Sequence, residues 1–270
     1  MRQASGLYRA VSASGFRRYA TYRIATAAGI FTNTVFGFIF AYTFIALWSQ
    51  RPGLGGYDQA EALTFVWVSQ ALIGAVSLLG GGFQEELQER IRTGDVAIDL
   101  YRPADLQMWW LASDLGRGAF QFLGRGVVPL AVGAVAFELA LPTRPGPWAL
   151  FLGSVALAVL VSFAIRYLVA LAAFWLLDGS GVNMLGTLLA IFFSGMLLPL
   201  TVFPGVLGEV ARWLPWSALL QVPADVLLER HEGPRLAGAL AFQAGWAVVL
   251  LLVGRVVQSL ATRKVVVQGG

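Results

Sequence analysis

The sequence predicts an all-α polytopic membrane protein with six transmembrane helices, and three observations carry that reading. Only 13% of the 270 residues are charged while 57% are hydrophobic, with mean hydropathy +0.70. A soluble domain carries about 25% charge, so this chain lacks the polar surface to cover a fold in water. Long apolar runs recur along it, near the roughly 20 residues needed to cross hydrocarbon. The 18 Phe and 9 Trp point the same way, since Trp collects at membrane interfaces.

Several function classes fall away early. Without cysteine there are neither disulfides nor thiolate metal sites. The single histidine, His231 beside Glu229 and Glu232, makes no metal cluster and reads as an exposed loop residue. Net charge +4 and pI ≈ 9.8 come from dispersed positives, which read as topology signals rather than a nucleic-acid stripe. The first apolar run starts late and runs long, so no signal peptide is expected. A GxxxxGK[ST] phosphate loop is absent, as are HExxH and any catalytic triad. Neither an enzyme nor a bound cofactor is therefore expected of this chain.

Taken in order, residues 1–23 hold Arg2, Arg9, Arg17, Arg18 and Arg23 with no acid. Tyr8, Val11, Tyr19 and Tyr22 fall loosely on one helical side, as in an amphipathic helix lying at the inner interface. Span 1 is read at 24–48, closing on Trp48 as an interfacial anchor. Residues 49–60, with Pro52 and several glycines, make an external loop. Span 2 covers 62–83, its inner end softened by Gly80, Gly81 and Gly82.

Residues 84–116 follow as the longest polar interval, and water must surround most of it. It is read as a cytoplasmic loop with a short surface helix at Met108–Leu111. Span 3 is placed at 120–141, with Arg125 snorkelling toward headgroups and Glu138 within reach of water. Span 4 is placed at 148–177. Arg166 lies roughly 27 Å below Trp148 along a helix, near the inner face, so snorkelling is the cheaper explanation and an intramembrane ion pair the costlier one. A turn at 178–183 leads to span 5 at 184–202. Residues 203–235 carry helical spacing broken by Pro215 and Pro223, which reads as an external re-entrant hairpin of two short helices on the outer leaflet. Span 6 covers 236–260, stopped by Arg263 and Lys264. In this arrangement 14 of the 19 Lys and Arg lie inside, leaving Arg51, Arg144, Arg212, Arg230 and Arg235 outside. That bias places both termini in the cytoplasm of a cell membrane.

Within the polar interval stand Ile91-Arg92-Thr93-Gly94-Asp95 and Leu100-Tyr101-Arg102-Pro103. With the six-span order, the basic N-terminal segment and the hairpin before the last span, these motifs resemble the permease subunits of ABC-2 class ABC transporters of the bacterial export type. The resemblance implies one transmembrane domain over 1–270, coupled to separate ATPase subunits that bind ATP and Mg2+. It also implies a second, non-identical permease subunit and a solute path between the two. Coupling to the ATPase then falls to Arg90, Arg92, Gly94, Asp95, Asp99, Arg102 and Pro103, with Arg9, Arg17 and Arg18 at the N-terminal interface. Phe36 and Phe193 are candidate pathway residues. The competing reading is an ion-coupled secondary carrier.

Overall fold

The computed structural model describes residues 2–176 and 179–268, with side chains over 6–176 and 179–263. Asp178, Lys264 and the side chain of Arg2, each used above, lie outside these described residues. The chain runs α1 (Arg2–Thr21), α2 (Arg23–Gln50), α3 (Gln59–Ile73), α4 (Phe83–Thr93), α5 (Val96–Tyr101), α6 (Leu106–Phe120), α7 (Val127–Ala136), α8 (Pro145–Leu171), α9 (Ser180–Phe193), α10 (Gly205–Trp213), α11 (Gln221–Leu227) and α12 (Pro234–Gln268). No strand occurs among the described residues.

Among the described residues, four helical stretches are long and apolar enough to cross a membrane: Arg23–Gln50, Leu106–Ala136, Pro145–Phe174 and Pro234–Arg263. The second joins α6 to α7 through a π-helical turn at Gln121–Gly126. The other two segments expected to span are built differently. α3 has 15 residues and α9 has 14. At 1.5 Å per residue each is about 21–23 Å long, short of the ~30 Å hydrocarbon thickness. Irregular backbone continues both, so six long helices are not what the sequence builds.

The α3 continuation explains itself chemically. Past Ile73 the chain leaves the helix, with Ser77 at φ 45 and Gly80, Gly81 and Gly82 at φ 86, 88 and 78. Carbonyls freed by unwinding need donors when no water is near. Arg117 supplies two, Nη1 to Gly74 O at 2.7 Å and Nη2 to Ala75 O at 2.8 Å, and the Ser162 hydroxyl donates to Val76 O. Arg117 in turn donates from Nε to Asp114 at 2.6 Å.

Asp114 also accepts from Arg166 Nη2 at 2.5 Å, and the Arg166 guanidinium lies 4.9 Å from the centre of the Phe83 ring. The snorkelling expectation for Arg166 is thereby corrected: the residue is 6% exposed and paired inside the protein. The expected surface helix at 108–111 is corrected too. Asp105 caps the N-terminus by accepting from Met108 N at 2.8 Å, and the helix it starts is the long apolar one. Residues 106–116 of the expected loop therefore belong to that helix.

Two more expectations change. Trp48 is no lipid anchor; it is 2% exposed and its Nε1 donates to Tyr57 O at 2.8 Å. In the 203–235 region α10 is largely exposed, whereas every residue of α11 is buried against α3, α8 and α12. There the Tyr57 hydroxyl donates to Asp225, and Gln221 Nε2 donates to both, at 2.8 and 2.9 Å. Burial, helped by the Asp225 charge, pushes the Tyr57 hydroxyl well above its ordinary value, so it keeps its proton. Burial likewise raises the Asp225 carboxyl, against the pull of Gln221 and Tyr57. Arg230 closes this end, 3.9 Å from the centre of the Tyr57 ring and 3.1 Å from Glu61.

At the opposite end α1 folds back on α6. Gly116 is what lets the two backbones meet: a Cβ there would lie 1.9 Å from Ser12 O. Phe16 packs edge-on against Phe120 at 5.4 Å, and Asp105 N donates to the Tyr8 hydroxyl at 3.3 Å. Gly116→Val is expected to detach α1 while leaving the long helices in place. Protease cleavage near residues 9–18 should rise at least several-fold over wild type, with unchanged helix content by circular dichroism; unchanged cleavage contradicts the tight packing.

Candidate functional site: the α4–α5 hairpin

The polar interval folds as two short helices. Acids Glu85 and Glu86 open α4 and Arg90 and Arg92 close it, each complementing the helix dipole. Gly94 ends α4 in the left-handed region at φ 85, its N–H donating to Ile91 O, a conformation that favours glycine. α5 stops at Arg102, whose extended backbone (ψ 143) suits a residue preceding Pro103.

Asp99 organises the hairpin. Its side chain is 5% exposed and accepts from Arg90 Nε at 2.5 Å and Nη2 at 2.9 Å, a fork that fixes both orientation and charge. Arg102 reaches the same carboxylate at 3.2 Å while its guanidinium sits 5.3 Å from the Trp109 ring centre. Arg90 Nη2 also donates to Asp95 O at 3.3 Å. The bond to Asp99 raises the Arg90 guanidinium further above its ordinary range.

The sequence-predicted residues thus divide. Arg90, Asp99 and Arg102 come together, with Gly94 and the Asp95 backbone shaping the turn. Arg92 points away to Glu89 at 2.6 Å on an exposed face, where such a pair contributes about 0–1 kcal/mol. Arg9 and Arg17 are exposed on α1, and Arg18 pairs with Glu86 of α4 at 2.9 Å. Phe36 lies 50% exposed on α2, far along the chain from this cluster, and Phe193 packs against Trp216 at 6.3 Å.

Several residues that matter here were not singled out by sequence reasoning. Asn183, at the start of α9, clamps α4 by accepting from Gln84 at 2.9 Å and Gln88 at 2.8 Å. Phe83 plants the first turn of α4 among Phe163 at 4.8 Å and Trp110 at 6.1 Å. Between α1 and the hairpin lies an open groove of about 460 Å3 lined by Arg18, Glu86, Arg90, Arg102 and Trp109. The hairpin is therefore stiff, charged on its outer side, and fastened to α1, α6, α8 and α9.

Apolar helices long enough to cross a membrane, joined to a charged helical hairpin, define an all-α membrane protein. Residues 31–269 match the family described as ABC-2 family transporter protein, and the chain belongs to that family: it is a membrane permease of an ABC transporter. Membership implies association with ATPase subunits. Among curated proteins, none matches the chain.

Replacing Asp99 with Ala leaves Arg90 and Arg102 without their shared acceptor. With partial exposure discounted, the expected cost is about 1–2 kcal/mol. Hydrogen exchange at the amides of 94–102 should quicken correspondingly, while Arg92→Ala leaves it unchanged; equal protection in all three proteins contradicts the role given to Asp99.

Proposed function

We propose that this permease is the membrane subunit of an ATP-driven exporter, and that the α4–α5 hairpin is the surface on which a separate ATPase subunit pushes. The observation that carries this reading is the stiffness of the hairpin: a buried carboxylate with two arginines locks it, and Phe83 links it directly to the bundle core. A peripheral ATPase that changes shape on binding ATP and Mg2+ needs a rigid lever to turn that change into a shift of packed helices. In this reading Arg90, Asp99, Arg102 and Pro103 hold the lever's shape, while Arg92, Gly94 and Asp95 present its outer turn.

The hairpin, α1 and both termini then lie in the cytoplasm, with Arg9, Arg17 and Arg18 at the anionic inner leaflet of the cell membrane. α3 and α9, completed by their irregular extensions, supply the remaining two of six crossings, their unwound backbone buried in protein as hydrocarbon requires. Tyr57, Asp225 and the α10–α11 pair face the outside. A second, non-identical permease covers part of the apolar surface of α2, and the solute passes between the two. Phe36, half-exposed on α2, is placed toward that path; Phe193 supports it from behind Trp216.

The decisive test compares the two ends of the molecule. Arg102→Ala, in the hairpin, is expected to reduce retention of the co-purified ATPase about tenfold or more, because losing a charged hydrogen bond, about 1.5–3 kcal/mol, loosens the surface on which the ATPase would sit. Arg51→Ala, in the loop after α2, should leave retention unchanged. Wild-type retention in both proteins contradicts the assignment, and transport driven by an imposed ion gradient without ATPase favours the ion-coupled carrier instead.

A further inference from the structure

Arg125, half-buried, stands apart from the buried arginines Arg117 and Arg166. Arg117 and Arg166 share Asp114, whereas no carboxylate and no hydrogen-bond acceptor meets Arg125 among the described residues. Its Nε is buried without a partner, and so is Oε1 of Gln121, one helical turn earlier and only 8% exposed. Both sit on the π-helical turn at Gln121–Gly126, a distortion frequently found at functional sites. A buried donor and a buried acceptor left without partners each need an anion, a hydroxyl or water to satisfy them.

The surroundings say which. A groove of about 280 Å3 opens between α2 and the π turn, lined by Tyr19, Thr32, Asn33, Arg117, Gln121 and Arg125 among others, and no acid lines it. Arg117 has already given its charge to Asp114 together with Arg166, so three arginines stand against one carboxylate and the groove is net positive. Arg125 lies against Gly29, where a Cβ would be 1.8 Å from Nη2. Gly29 is about 9 Å along α2 from Arg23, so Arg125 lies toward the end of that helix where α1 meets α2.

We propose that this groove is a binding site for a phosphate ester, with Arg125 donating to the phosphate oxygens and Gln121 Oε1 accepting from a hydroxyl beside it. The chemistry is that of a glycerophosphate headgroup. Its source is either an anionic lipid of the surrounding leaflet or a soluble glycerophosphate entering from the adjacent water. The proposal does not depend on the hairpin's role or on the direction of transport.

The test uses the full-length protein, extracted with whatever subunits accompany it, and native mass spectrometry of retained ligand. One arm offers phosphatidylglycerol against phosphatidylcholine in mixed nanodiscs, and the other offers glycerol 3-phosphate in detergent. Wild type is expected to retain one phosphatidylglycerol or one glycerol 3-phosphate in preference to phosphatidylcholine, and the responding arm names the source. Arg125→Gln should weaken that binding about ten- to a hundredfold, the range for one charge-assisted hydrogen-bond pair. Arg125→Lys should restore part of it, and Arg212→Gln at the far end should change nothing. Absence of any preference in wild type overturns the proposal without recourse to a variant. So does wild-type retention by a folded Arg125→Gln protein, or an equal loss in Arg212→Gln.

Discussion

Asp114 lies with its carboxylate fully buried between two arginines from different parts of the chain, 2.6 Å from Arg117 and 2.5 Å from Arg166. Everything around it follows from the need to keep those charges satisfied away from water. Arg117 can then spend its remaining donors on the carbonyls of Gly74 and Ala75, which lets α3 unwind where its backbone is packed inside the protein. Arg166, held by the same carboxylate and by Ser162, stacks over Phe83 and so fixes the first residue of α4. One acid thus joins α6, α8, the irregular stretch 74–82 and the root of the hairpin.

Under the proposed function, that arrangement is what would let a short polar hairpin act on long apolar helices. The outer end of the hairpin is held by Asp99 and its arginines, and the inner end by aromatic packing of Phe83 with Trp110 and Phe163. Gln84 and Gln88 fasten its flank to α9 through Asn183, and Arg18 fastens it to α1. A push on α5 therefore reaches α6, α8 and α9 together. The far end of the bundle is tied separately, by Tyr57, Gln221, Asp225 and Arg230. A lever at one end and a polar knot at the other suit a helix bundle that tilts as a unit.

Much of this was legible from residue order because the physics is local. The four long helices follow from apolar length, whereas the polar interval reads as a loop broken at Gly94 and Arg102-Pro103, and the two short helices it forms are not legible in it. Asp105 standing before Leu106 is a cap signal that starts the third long helix earlier, but Asp105 and Asp114 also mark the stretch as polar, and composition alone does not say that Asp114 is paired inside the protein. Depth along a helix makes snorkelling the cheaper reading of Arg166, yet it carries no information about a carboxylate 52 positions away. The Tyr57–Asp225 contact spans 168 positions and is equally invisible to periodicity. Gly80, Gly81 and Gly82 did announce a soft inner end to α3, though not how much of the helix would be lost.

The central claim is that Asp114 is required because of the arginines it holds, and thermal unfolding in detergent of two variants tests it most directly. Asp114→Leu alone leaves two buried guanidinium groups without a counter-charge and is expected to cost about 3–5 kcal/mol. Asp114→Leu combined with Arg117→Met and Arg166→Met removes the charges as well, though it leaves the carbonyls of Gly74 and Ala75 without their donors. The account predicts a large loss of stability in the single variant and recovery of at least half of it in the triple. A single variant as stable as wild type, or a triple variant no better than the single, contradicts it.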